Sequence, residues 1–289
     1  LAMHLAFSSM NTLNDPHPAE LAQALEQRGF ESLWYGEHSH IPTARTTPYP
    51  AGGDLPEPYK LMMDPYLSLM TAANATSRLR LGTGIALLME RDIFSQAKTI
   101  ATLDRLSGGR VIIGTGVGWN QEEYENVNAH PFNKRYAVLR ETVAATRQLW
   151  TEDEAQYHGD YIDFDPVWAF PKPLQAGGPP VFLGAMGPLG RKHAAAWADG
   201  WSPVDVAMGD VATTLAQFRE EVRSAGRDPE DIEINIQIMD TANLDKLKTY
   251  RDLGVQRATI GVSMDGWDKA DDVMPMIDRY AKVIPELGT

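Results

Sequence analysis

Short apolar runs alternate with longer segments of helical period from one end of the chain to the other. The runs are Leu5-Ala6-Phe7, Ser32-Leu33-Trp34-Tyr35, Leu79-Arg80-Leu81-Gly82, Val111-Ile112-Ile113-Gly114, Val181-Phe182-Leu183-Gly184, a weak Gly200-Trp201-Ser202, Ile232-Glu233-Ile234-Asn235-Ile236 and Arg257-Ala258-Thr259-Ile260. Eight runs with helices between them predict parallel strands joined by crossover helices. The helices are punctuated alike. Pro18 opens one that Gly29 closes, Asp64-Pro65 opens another at N-cap and N1, and Gly254 closes the helix before the last strand. Such alternation suits a closed barrel or an open doubly wound sheet. Eight units in 289 residues favour a (β/α)8 TIM barrel, α/β in class, as a single domain over 1–289.

Two segments break the rhythm. Residues 37–62 follow strand two and carry Pro42, Pro48, Pro50, Pro56 and Pro58 with Gly52 and Gly53. A long irregular loop at the C-terminal end of a barrel strand lies on the active face, and it reads as a substrate lid. Residues 151–180, after the fourth barrel helix, hold a small insertion with a hairpin expected at 157–161.

Charge and composition narrow the partners. A formal net charge of −13 argues against a protein that grips nucleic acid through its phosphates. It leaves room for an anionic cofactor held by backbone amides and a few local cations. The chain has no cysteine, so disulfides, thiolate metal sites and cysteine nucleophiles are excluded together. No apolar run reaches membrane-spanning length and no basic segment precedes an apolar stretch at the start, so the expected location is cytoplasmic.

Four stretches carry candidate chemistry. In Gly184-Ala185-Met186-Gly187-Pro188-Leu189-Gly190-Arg191-Lys192 a strand runs through small residues into a helix with cations in its first turn. Cations are unfavourable there unless something negative is near, which suggests a phosphate; the other reading is a tight turn with exposed basic residues. Gly114-Thr115-Gly116-Val117-Gly118-Trp119 resembles a dinucleotide fingerprint but has G-x-G-x-G spacing on the fourth strand, and Pro131 interrupts before the next helix. It reads better as a glycine-rich strand end against which a flat ring lies, or as a bulge shaping the rim. Leu81-Gly82-Thr83-Gly84-Ile85 is a third side-chain-poor strand end. Finally, Glu37-His38-Ser39-His40 follows strand two directly. The H-x-H spacing invites a metal-dependent hydrolase, yet strands five and eight end without His or Asp, so no metal ligand is assigned. His38 is left as a proton donor or acceptor, or as a structural rim residue.

Taken in order and spacing, Ser32-Leu33-Trp34-Tyr35-Gly36-Glu37-His38, Leu81-Gly82-Thr83-Gly84, Gly114-Thr115-Gly116-Val117-Gly118-Trp119, and Gly184-Ala185-Met186-Gly187-Pro188 followed by Ala198-Asp199-Gly200-Trp201 resemble the luciferase-like monooxygenase superfamily. The likeness is greater to its branch dependent on the deazaflavin F420, and covers nearly the whole chain. It implies an oxidoreductase moving a hydride between F420 and a small organic substrate, with an FMN-dependent monooxygenase and a non-catalytic flavin-binding protein as alternatives. It implies that Gly184, Ala185, Met186, Gly187 and Pro188 with Arg191 cradle the cofactor phosphate. Thr83, Gly84 and Ile85 would form the bulge behind the ring, and Gly116, Gly118, Trp119 and Glu122 would border it. Glu37 and His38 would sit at its reactive edge, His38 exchanging the proton. Homodimers are usual in such families. The chain departs from deazaflavin-dependent glucose-6-phosphate dehydrogenases, which carry a carboxylate at the position of Trp119 and a tryptophan near Ala44. That departure points to a more apolar substrate pocket, with Trp119, Tyr49 and Tyr59 contributing.

Overall fold

The computed structural model describes residues 1–261 and 273–288. Residues 262–272 and 289, which the single-domain reading includes, lie outside the described residues. Eight parallel strands close on themselves: β1 (His4–Ser9), β2 (Ser32–Tyr35), β3 (Arg80–Ala86), β4 (Val111–Thr115), β7 (Val181–Leu183), β8 (Gly200–Trp201), β9 (Glu233–Gln237) and β10 (Arg257–Gly261). β1 pairs with β2 on one side and β10 on the other, which seals the barrel. All eight expected runs fall on these strands, within one or two residues at each end except at β3, which runs four residues past Gly82 to Ala86. The insertion is an antiparallel ribbon of β5 (Ala155–His158) and β6 (Asp163–Val167), so the expected hairpin segment forms mostly its turn.

Local chemistry sets the helices. At α2 (Pro65–Ala75) the Asp64 carboxylate accepts the N–H groups of Tyr66 and Leu67 at 2.9 and 3.1 Å, with Pro65 at N1. α3 (Ile93–Ser107) is capped by Asp92 and ends on Gly108 at φ 76°, the left-handed conformation that glycine adopts most readily. α1 (Pro18–Gln27), α5 (Arg135–Thr151), α6 (Pro188–Trp197), α7 (Val211–Ser224) and α8 (Leu244–Asp252) complete the jacket, with α9 (Val273–Ala281) near the chain's end. Among the described residues no helix is long and apolar enough to cross a membrane.

The barrel interior explains several of the glycines. Ala6, Trp34, Ile112 and Phe182 form a separate buried cluster inside the ring of strands. A Cβ at Gly82 would stand 2.3 Å from the Trp34 ring, and one at Gly114 would stand 2.1 Å from the Thr83 carbonyl oxygen. These positions are bare because the indole and a neighbouring strand fill the space. Gly114→Ala meets backbone, which cannot swing aside, so overpacking should cost about 2–3 kcal/mol, read as a lower urea midpoint.

Candidate active site

A cavity of about 870 Å³ opens at the C-terminal ends of the strands. Side chains or backbone from all eight strand ends line it, from Ser8 in β1 to Gly261 at the end of β10. That is the face on which barrel enzymes carry their chemistry, and the volume suits a cofactor-sized ligand.

His38 lies on the wall just past β2. Its Nδ1 is 2.6 Å from Oε2 of Glu123, a side chain 1% exposed on α4 (Gln121–Val127). With Nδ1 committed, Nε2 is the nitrogen left to exchange a proton. Around the imidazole stand three further rings. His38 lies 5.4 Å from Tyr59 and 5.9 Å from Trp119, and Tyr49 lies 5.4 and 5.9 Å from the same two, in edge-to-face contacts. Burial pushes the Tyr59 phenol well up, so it stays a neutral hydroxyl. Tyr49 and Tyr59 come from the loop over 37–62, whose bridge Thr12–Met62 ties its end back to the chain after β1.

Glu37 also lines the cavity, but its carboxylate is occupied. It accepts the Leu87 N–H at 2.8 Å and pairs with Arg91, which reaches Asp64 at 2.6 Å as well. Burial pushes the Glu37 carboxyl upward, with Arg91 and the Leu87 amide pulling against it. Glu122 is not among the cavity's lining residues, and it accepts the Thr46 hydroxyl at 2.7 Å and the Thr47 N–H at 3.1 Å.

The β3 bulge is built as a unit. The Gly84–Ile85 peptide is cis, and pairing with β4 shifts register between Thr83 and Ala86. Thr83 donates its hydroxyl to the Gly114 carbonyl at 2.7 Å, and Thr115 donates to the Ala86 carbonyl at 2.9 Å. Thr83 is thereby fully buried behind the wall, while Gly84 and Ile85 line it. The Ile85 side chain covers two neighbouring strand ends: a Cβ at Gly116 would stand 2.2 Å from its Cδ1, and one at Gly184 2.9 Å from its Cγ2. Ile85 thus fills the space beside Gly116 and Gly184, and it lines the cavity together with Gly84 and Gly184.

Gly118, Trp119, Gly184 and Met186 line the cavity as well. Gly116, Ala185, Gly187, Pro188 and Arg191 are not among its lining residues. Ala185 gives its carbonyl to the Trp201 indole N–H at 2.8 Å. Gly187 is the N-cap of α6 with no side-chain cap, and a Cβ there would meet open space. Arg191, one turn on, pairs with Glu221 of α7 at 3.0 Å. Glu221 thus sets a negative charge beside this first-turn cation.

Sequence reasoning missed Glu123 and the far wall. Asn120-x-x-Glu123 has the spacing of a capping box, in which Glu123 would turn back to Asn120; the carboxylate reaches His38 instead. The far wall comes from Gln237 at the end of β9, Asp240 and Thr241 beyond it, and Arg279 and Tyr280 on α9. These are ordinary residues in sequence, and closure of the barrel brings them to the rim. Among the described residues no group of three or more His, Asp or Glu is placed to hold a metal ion.

Comparison with known proteins agrees with this architecture. Residues 14–257 match the profile of the luciferase-like monooxygenases. An uncharacterized protein of Mycobacterium tuberculosis is 38% identical over 272 residues, covering 91% of this chain and 92% of that protein. An F420-dependent glucose-6-phosphate dehydrogenase of Amycolatopsis mediterranei is 27% identical, with 91% and 78% covered. A solved F420-dependent secondary alcohol dehydrogenase, in complex with an F420–acetone adduct, shares the fold with a TM-score of 0.74 over 99% of both chains at 20% identity. With the profile spanning most of its length, the chain belongs to the luciferase-like monooxygenase family of oxidoreductases.

Proposed function

We propose that this protein is an F420-dependent oxidoreductase that moves a hydride between the deazaflavin and a small organic substrate, with His38 exchanging the accompanying proton. The observation that carries the reading is the His38–Glu123 pair at 2.6 Å on the wall of a cavity large enough for a tricyclic ring and a substrate together. Relatives described as F420-dependent dehydrogenases support the choice of cofactor.

The residues present fit such a group. Gly187 opens a helix N-terminus with no side-chain cap, where free N–H groups favour an anion and the space beside the glycine is open. Gly184 to Pro188 would hold the phosphate there, with the Arg191 charge shared with Glu221. Ile85 would back the ring, with Gly84, Gly118 and Trp119 beside it. The cofactor, once bound, supplies a hydride acceptor or donor. The chain's own groups do the rest. Glu123 holds Nδ1 and fixes the imidazole, so Nε2 takes a proton from a substrate hydroxyl or returns one to a carbonyl. Glu37, held by Arg91 and Leu87, fixes the backbone beside His38. Glu122 fastens the loop at Thr46 and Thr47, and that loop acts as the lid. Tyr49, Tyr59 and Trp119 exclude water and favour an apolar substrate body, while Arg279 and Gln237 face its polar end.

Titration of the purified protein with F420 and, separately, with FMN tests the cofactor. Saturable quenching of F420 fluorescence without comparable FMN binding is expected. Tight FMN binding with no F420 binding would turn the assignment to an oxygen-using monooxygenase.

A further inference from the structure

Ile232 and β9 together read Ile-Glu-Ile-Asn-Ile-Gln, with every second residue polar. Strands of a parallel barrel are covered on both faces and are ordinarily apolar throughout. Here the three isoleucines join the outer core, while the polar residues face the barrel interior: Glu233 meets Arg257, Asn235 meets Thr259, and Gln237 lines the cavity. β10 alternates in step, with Arg257 beside Asn235 and Thr259 beside Gln237 in the register. On β8, Trp201 stacks on Phe218 of α7 at 4.3 Å, so the next residue, Ser202, turns inward. One side of the interior is therefore polar through its depth, whereas Trp34, Ile112 and Phe182 fill the rest.

A buried polar side chain costs free energy unless its groups find partners. Asn235, 0% exposed, finds one for each end: the Thr259 hydroxyl donates to its Oδ1 at 2.6 Å, and its Nδ2 donates to Ser202 Oγ at 3.2 Å. Gln237 Nε2 donates to the same Ser202 Oγ at 3.1 Å and lies 3.5 Å from the Ser202 carbonyl. The chain ends with two groups to spare. Both lone pairs of Ser202 Oγ are taken by amides, so its hydroxyl proton must go elsewhere, and no described residue accepts it. The Gln237 nitrogen is committed, so Oε1 is its open atom, and no described residue donates to it. Ser202 is 2% exposed, and both residues line the cavity. A donor and an acceptor thus stand side by side on its wall, held from behind by Asn235.

We propose that Ser202 and Gln237 select a substrate that carries a neutral carbonyl with an adjacent N–H, as in a lactam, the Ser202 hydroxyl donating to the carbonyl oxygen and Gln237 Oε1 accepting the N–H. Position decides that the partner is substrate. β9 lies four strands from β3 in either direction round the barrel, so this wall faces Gly84 and Ile85 across the cavity. With the cofactor ring against β3, the pair meets whatever lies on the ring's open side; the inference rests on that placement. A carboxylate fits the pair poorly, because it brings acceptors only and sets a charge against Gln237 Oε1. Asp240, on the same wall, adds a further negative group, though Lys246 pairs with it. The two residues set specificity and take no part in moving the proton at His38.

Ligand-detected NMR titrations of the full chain, with no cofactor added, test the pair through three probes: δ-valerolactam, its N-methyl derivative and cyclohexanecarboxylate. Valerolactam should bind wild type about tenfold tighter than the N-methyl lactam, the loss expected when a desolvated acceptor is left unpaired. Gln237→Met keeps the length of the side chain and should abolish that preference, which a mere clash with the methyl group would not do. Ser202→Ala should weaken both lactams about tenfold, and Gln237→Met carries the test alone if the alanine variant does not fold. Fluorescence quenching by F420 should be the same in Gln237→Met and wild type. Absent or equal binding of the two lactams, a preference that survives in Gln237→Met, or tighter binding of the carboxylate would overturn the proposal. A tenfold loss of F420 affinity in Gln237→Met would overturn it too, by giving the pair to the cofactor's own ring edge. Failure of wild type to bind F420, with the lactam preference intact, overturns the cofactor assignment alone.

Discussion

His38→Asn is expected to lower turnover about 10²–10⁴-fold, the range lost when a positioned proton donor or acceptor is removed. Asparagine can still donate an N–H towards Glu123, which holds Nδ1 at 2.6 Å, but it cannot exchange a proton at neutral pH. F420 binding should survive, because the helix N-terminus at Gly187 and the backbone at Gly84 and Gly118 are untouched. Loss in turnover with retained quenching separates a proton role from a binding role. Glu123→Gln should fall in the same direction by a smaller factor, since the ring keeps a partner and loses its charge. Unchanged turnover in His38→Asn would reassign the histidine to structure and leave the family placement intact.

The largest expected stability loss lies at the opposite end of the barrel. Arg257 is 1% exposed; its guanidinium meets Glu31 through two bonds of 2.8 Å and Glu233 through one contact of 2.5 Å. It also lies 5.6 Å from the Trp34 ring and 5.7 Å from Phe182, and so floors the interior cluster. Arg257→Ala strands two carboxylates and opens a gap, and should cost about 3 kcal/mol. That is the low end for a broken buried pair, because water partly reaches Glu233. The pH dependence is distinctive. Burial alone would raise the Glu31 carboxyl, but the hydrogen bonds and charge of Arg257 outweigh it and hold it below its ordinary 4.5. A lowered carboxyl stabilises the fold above 4.5, and that contribution is lost as pH falls through the folded value. Wild type should therefore weaken in urea between pH 5 and pH 3 more steeply than Arg257→Ala does.

The barrel was legible because its signals are local. A strand such as β4 is a buried apolar run between turn residues, and Asp64-Pro65 carries its cap within two positions. The site was legible where chemistry and strand end coincide, as at His38, and was not where a partner comes from elsewhere in the chain. Nothing near Arg191 in sequence points to Glu221, thirty residues on and one helix away. Glu122 and Glu123 are adjacent on a helix of seven residues, too short for periodicity to say which one turns inward. The glycines showed that bare backbone is required at β3, β4 and β7. Pattern alone did not tell a ligand from an indole or an isoleucine as the reason.

Ile85 ties three distant positions into one decision. Its branched side chain reaches over both Gly116 and Gly184, each on a different neighbouring strand end. A drift to a bulkier residue at either glycine must be answered by trimming Ile85, and trimming Ile85 alone leaves a hollow in the wall of the cavity. Inheritance of the three together, rather than one at a time, is the historical signature this packing should leave among descendants of the same ancestor.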